Sequence, residues 1–194
     1  MLQVRIHGRG GQGVVTAAEL LSVAAFDEGR HAQAFPNFGS ERTGAPVVAF
    51  CRISESTIRL REPIMQPDAI IIQDPTLLNQ VDVFQGLKAN GYILINSTRS
   101  FDDLGLTDFV RDWHPERLAT VPATEFALKH VGRPVPNAAL LGGFAAISGV
   151  VSLAAVAKAI REKFPEKLAE GNIAAATAAY EFVKQEIQEA KAHA

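Results

Sequence analysis

Apolar and polar positions alternate from Leu2 to His7, with Val4 and Ile6 set among Gln3, Arg5 and His7. A period of two predicts a strand, and Gly8 ends it. Beyond a glycine-rich run, Val14, Ala18, Leu21 and Ala25 recur at helical spacing up to Gly29, which predicts a helix with a glycine stop. Residues 31–44 are short of aliphatic side chains and place Pro36, Asn37, Gly39 and Ser40 around Phe35 and Phe38, so they read as a long exposed loop. Pro46 to Ile53, Ala69 to Ile72 and Tyr92 to Ile95 are short apolar runs of the buried-strand kind. Thr57 to Leu60 reads as a returning partner strand, and 76–84 and 86–89 are helix-compatible. Alternation of strand and helix predicts a mostly parallel sheet. The second half adds a strand at Ala119 to Val121 and then turns alanine-rich. Helices are predicted at Thr124 to Val131, Asn137 to Val150, Ser152 to Phe164 and Asn172 to about Ala190. The last carries Ile173, Ala176, Tyr180, Val183 and Ile187 on one face.

The chain has 194 residues, 47% hydrophobic and 21% charged, and neither repeat nor linker divides it, so residues 1–194 are expected to form a single domain with a core of ordinary size. Nineteen basic against twenty-one acidic residues leave a charge of -2, which removes the footprint of a general nucleic-acid binder and leaves room for a local anion pocket. One cysteine, Cys51, cannot supply the thiolates of a zinc or iron–sulfur site. It lies within an apolar strand, where a small buried hydrophobe is expected. The amino terminus carries no leader pattern, and glycines interrupt the apolar stretch from Ala138 to Val151, which is too short for a bilayer. A cytoplasmic protein away from membranes is expected.

Gly8, Gly10 and Gly13 satisfy G-x-G-x-x-G after a strand and before a helix, a context that permits close backbone approach to a phosphate at a helix amino terminus. The expected architecture is therefore α/β, with a Rossmann-like, mostly parallel sheet flanked by helices and a helical C-terminal portion. A dinucleotide site also needs an acid about 20 residues on, at the end of the second strand. Here Asp27 and Glu28 precede the turn and the chain continues as Gln33-Ala34-Phe35, without a carboxylate. Three readings stand: dinucleotide binding, a purely structural turn, and an anion-binding or interface loop. The long loop carries Glu41 and Arg42, and Arg42 suits bidentate contact with phosphate or carboxylate; the alternative is a local ion pair, with Phe35 and Phe38 covering the sheet edge. His7, His31, His114 and His130 show no metal-ligand spacing, no serine sits in a nucleophile elbow, and no catalytic set is evident.

Gly8-Arg9-Gly10-Gly11-Gln12-Gly13 with Thr16-Ala17-Ala18, and Phe35-Pro36 through Phe38-Gly39-Ser40-Glu41-Arg42-Thr43-Gly44-Ala45-Pro46, resemble the gamma subunit of the 2-oxoacid:ferredoxin oxidoreductases. Pro136-Asn137-Ala138-Ala139-Leu140-Leu141-Gly142-Gly143-Phe144 and Asn172 to Tyr180 resemble two later segments of that family. One departure is Gly142-Gly143, where many relatives have one glycine followed by alanine, a change of packing more than of chemistry. The resemblance implies a subunit of a complex that converts a 2-oxo acid and coenzyme A to acyl-CoA, carbon dioxide and electrons. Pyruvate, branched-chain and aryl acids such as phenylglyoxylate fall within it, with ferredoxin or NAD as acceptor. It implies alpha, beta and ferredoxin-like delta subunits, with a further NAD-linked subunit in the NAD variant. Thiamine diphosphate, Mg2+ and 4Fe–4S clusters would lie in those partners, with this chain helping to close the thiamine site. Coenzyme A would face the glycine loop (Gly8, Arg9, Gly10, Gly11, Gln12, Gly13), Thr16 and the second motif (Phe38, Gly39, Ser40, Glu41, Arg42, Gly44). The competing expectation is a free-standing NAD(P)-binding dehydrogenase.

Overall fold

A computed structural model describes residues 1–37 and 42–193. Its elements are β1 (Leu2–Arg9), α1 (Val14–Asp27), β2 (His31–Pro36), β3 (Pro46–Ser54), β4 (Ala69–Ile72), β5 (Tyr92–Asn96) and β6 (Leu118–Val121), then α2 (Ala123–Val131), α3 (Asn137–Ser148), α4 (Leu153–Lys163) and α5 (Glu166–Ala192). The strands form one sheet in the order β2-β3-β1-β4-β5-β6. β1, β4, β5 and β6 run parallel, while β3 lies antiparallel between β1 and β2. The mostly parallel α/β sheet and helical C-terminal portion expected from the sequence are thus present. Relative to a Rossmann order of 3-2-1-4-5-6, the second and third strands have exchanged places.

Strand alternation divides the core in two. Val4 and Ile6 of β1, Cys51 of β3, Ile71 of β4 and Leu94 of β5 face a layer to which all five helices contribute. Ile70, Ile72, Ile93 and Ile95 face the other way, under Leu77, Val83, Trp113 and neighbouring residues of irregular segments. α3 is apolar on all sides because it lies between the sheet and α5, and Phe144 is fully buried there. A Cβ at Gly142 would collide with the Ala176 backbone of α5, so glycine sets the α3–α5 approach. A Cβ at Gly143 would meet nothing nearer than 3.5 Å, so alanine would fit there.

Five expectations are corrected. Residues 31–36 are the edge strand β2 rather than loop, because pairing with β3 sets Phe35 against Phe50 at 5.1 Å and the Arg52 guanidinium over the Phe35 ring. Thr57 to Leu60 forms no strand; Thr57, Arg59 and Leu60 are exposed and have no face to bury. The stretch 76–84 contains only a 3-10 turn, Pro75–Asn79, with turns beyond it; the Arg5 guanidinium binds the Val83 and Gln85 carbonyls. The stretch 86–89 is likewise turn. α5 begins at Glu166, six residues before the expected Asn172. Gly171 is no helix stop; it allows close approach to the His130 carbonyl at the end of α2.

Candidate functional site

The two motifs singled out by sequence form one structure. β1 ends at Arg9, Gly13 caps α1 in the left-handed conformation at φ 70°, and among the described residues no side chain caps the helix. The N–H groups of its first turn therefore lack intrahelical acceptors. The base of the second motif is fastened to this loop: Gly10 N–H donates to the Ala45 carbonyl at 2.9 Å, Gly44 N–H donates to the Gly10 carbonyl at 3.1 Å, and Gly10 bridges to Thr43. Glycine is needed at position 10 because a Cβ there would strike the Arg42 carbonyl.

Two buried amides hold the loop from behind. Gln73, just after β4, donates from Nε2 to the Gln12 carbonyl at 2.9 Å, and Asn137, opening α3, donates from Nδ2 to the Gly13 carbonyl at 3.3 Å. Both are nearly inaccessible to solvent. Gln73 is fixed in turn by Asn96 at the end of β5, whose Nδ2 donates to the Gln73 carbonyl and to Thr124 Oγ1. With the Gln12 and Gly13 carbonyls engaged, the donors opening α1 are the groups left for a ligand.

Arg9 is committed internally. It pairs with Asp74 at 3.2 Å and donates to Thr76 Oγ1, Gln80 Oε1 and the Gly44 carbonyl. Gln12 accepts from Arg9 N–H and donates to Asp74. Burial raises the Asp74 pKa, but hydrogen bonds from Thr76 and Gln12 and the Arg9 charge outweigh it and hold the carboxyl below its usual range. This cluster fills the crevice between the carboxyl ends of β1 and β4, the switch point where an open α/β sheet normally takes its ligand. The open space lies beside it instead, a pocket of about 440 Å3 lined by Arg9, Gly10, Gly11, Gly13, Val14 and Thr16 on one side and by Pro36, Asn37 and Val47 on the other.

Of the expected site residues, Arg9, Gly10, Gly11, Gly13 and Thr16 line this pocket, Gly8 and Gln12 support the loop, and Arg42 and Gly44 are exposed at the base of the second motif. Phe38, Gly39, Ser40 and Glu41, and with them any Glu41–Arg42 pair, lie outside the described residues. Sequence reasoning did not assign Gln73 or Asn137 a part in the site; the position of Gln73 at a strand's carboxyl end was the available signal. Cys51 is fully buried and its thiol is pushed up to about 12 by burial, as suits a packing residue. Among the described residues no group of three or more His, Cys, Asp or Glu side chains is placed to hold a metal ion, and no helix is long and apolar enough to cross a membrane.

A family model described as pyruvate ferredoxin/flavodoxin oxidoreductase matches residues 3–182. The chain belongs to the pyruvate ferredoxin/flavodoxin oxidoreductase family. Among its relatives are the pyruvate synthase subunit PorC of Methanothermobacter marburgensis, 45% identical over 95% of this chain and 98% of that one, and the pyruvate/ketoisovalerate oxidoreductases common subunit gamma of Pyrococcus abyssi, 46% identical over 93% and 96%. The crystal structure of pyruvate oxidoreductase subunit PORC from Thermotoga maritima superposes with a TM-score of 0.76 at 35% identity, covering 93% of this chain and 95% of that one. Members of this oxidoreductase family thus match nearly the whole chain in sequence and in fold.

Proposed function

We propose that this chain is the gamma subunit of a multi-subunit oxidoreductase that converts pyruvate or 2-oxoisovalerate, with coenzyme A, to acyl-CoA and carbon dioxide, passing electrons to ferredoxin. The reading is supported by the relatives and carried by one observation: the glycine loop and the base of the second motif are bonded together beside one pocket at the start of α1, where no described side chain caps the helix or completes a catalytic set. The chain's own task is to bind and orient. The first-turn N–H groups of α1 receive a phosphate of coenzyme A, and Arg42, whose backbone lies against Gly10 of the pocket wall, adds a charge-assisted contact. Arg9 works indirectly, by tying the loop to Asp74 and Gly44.

Thiamine diphosphate, magnesium and iron–sulfur clusters belong to alpha, beta and ferredoxin-like delta partners on this reading, and this chain closes the thiamine site from outside. Its residues do not fit an iron–sulfur cluster, since the sole cysteine is buried in β3. The free-standing dehydrogenase is disfavoured by the exchanged strand order, by a β2 that ends in Phe35-Pro36 without an acid, and by the filled switch point.

An anaerobic pull-down of the chain from its native cell tests the assignment, with absorbance for iron–sulfur clusters and coenzyme A-dependent oxidation of pyruvate, 2-oxoisovalerate and phenylglyoxylate. Brown, active partners are expected. A colourless chain that binds NAD alone overturns it. In the assembled enzyme, Arg42→Ala is expected to raise the KM for coenzyme A roughly tenfold while leaving the melting temperature unchanged, since a charged contact is worth about 1.5–3 kcal/mol; an unchanged KM removes Arg42 from the site.

A further inference from the structure

A second cleft opens on the sheet face away from the helices. Its volume is about 470 Å3, with Val48, Phe50, Ile64, Leu77 and Val81 among its walls and Arg5 and His7 of β1 beneath them. It meets the glycine-loop pocket only at Asn37 and Val47. Nothing in the proposed role of the glycine loop uses this cleft.

Arg5 and His7 are 7% and 6% exposed. Arg5 Nε donates to His7 Nε2 at 3.0 Å. A guanidinium has no lone pair to offer, so His7 Nε2 must be the accepting nitrogen and the proton of the neutral imidazole sits on Nδ1. Burial and the Arg5 charge keep that ring neutral, with its pKa pushed down to about 3. Among the described residues His7 Nδ1–H has no hydrogen-bond acceptor, so a polarised donor remains on a side chain that lines the cleft.

Arg5 is held by carbonyl groups. Its Nη2 donates to Val83 O at 2.9 Å and Gln85 O at 2.6 Å, and Nη1 reaches Ile64 O at 3.5 Å. Asp82 also lines the cleft and its charge favours the Arg5 cation through space, but among the described residues no carboxylate forms an ion pair with Arg5. A buried cation whose countercharge is not in direct contact is costly and favours an anion against it. Apolar walls, a few convergent polar groups and a volume of this size are the marks of a small-molecule site.

We propose that this cleft binds a small organic carboxylate with a branched apolar tail, one carboxylate oxygen accepting from His7 Nδ1–H beside Arg5 and the tail lying against Val48, Phe50 and Ile64. The anion places a countercharge in direct contact, which Asp82 does not do, and the walls remove its tail from water. A primary amine would meet the Arg5 charge, and an alcohol of the same shape would leave that charge unbalanced. The site stands whether or not the glycine loop takes coenzyme A.

The test uses the full chain with 3-methylbutanoate as probe, followed by calorimetry and by nitrogen-15 NMR of the histidine rings. A Kd on the order of 1 mM is expected for so small a ligand, with a shift at His7 Nδ1. Acetate should bind about tenfold more weakly for want of a tail, and 3-methylbutan-1-ol about tenfold more weakly for want of charge. His7→Phe should abolish binding. Val81→Phe fills the cleft from a residue outside the sheet and should abolish it too, which covers the case in which the histidine variant fails to fold. Binding that persists in Val81→Phe, equal binding of acetate, or no His7 shift at saturating probe overturns the site. Loss of probe binding on assembly with the other subunits also overturns it, by showing the cleft to be a protein interface.

Discussion

The two faces of the sheet are built on different terms. Toward the helices β1 presents Val4 and Ile6, both fully buried, against a continuous layer of helical side chains. Toward the irregular segments the same strand presents Arg5 and His7, and β3 presents Phe50 and Arg52. Stability is concentrated where helices close on apolar strands, while the opposite face keeps buried charge and open space. That division lets one sheet carry a rigid loop at its edge and a cleft on its flank.

Substitutions break this comparison in order of severity. Gly142→Val forces a side chain into the α5 backbone and is expected to leave little folded chain in solution, as judged by circular dichroism and gel filtration. Phe144→Ala should cost about 3–5 kcal/mol in denaturant unfolding, against about 2 kcal/mol for Val83→Ala on the other face; equal costs would erase the distinction. Gly10→Val should cost about 1–2 kcal/mol through its collision with the Arg42 carbonyl. Its main effect should be on turnover of the assembled enzyme, lowered on the order of tenfold to a hundredfold by a displaced loop.

Asp74→Asn is the mildest, with an expected fall in Tm of roughly 3 °C at pH 7. The folded carboxyl of Asp74 has a lowered pKa, so its contribution is present above the ordinary carboxylate range and is lost as pH falls through the lowered value. Melting curves of wild type and variant should therefore converge below about pH 4. A gap that persists at low pH would mean that Asp74 stabilises without its charge.

β1, the glycine loop and α1 were legible because their signals are local: a period of two, then glycines, then a period of 3.6. β2 was not, because the cause of its extended form is the Phe50 and Arg52 side chains of β3 rather than its own residues. The helical stretch expected after β4 fails for a related reason, since Arg5, some 78 residues away in sequence, takes the Val83 carbonyl. The glycine pattern and the second motif could be found by reading along the chain. That they are bonded to each other, and that Gln73 and Asn137 hold the loop across separations of 61 and 124 residues, is a property of the topology alone.

The 27-residue helix α5 places Ala169, Ala175, Ala176, Ala179 and Val183 in the larger core, yet it is synthesised after every element it covers. A nascent chain on the ribosome can complete β1 through β6 while the α5 side of α3 stays open to water. The final closure therefore joins sequence-distant parts, a slow kind of step. During that interval the exposed α3 surface is the stretch a chaperone must shield.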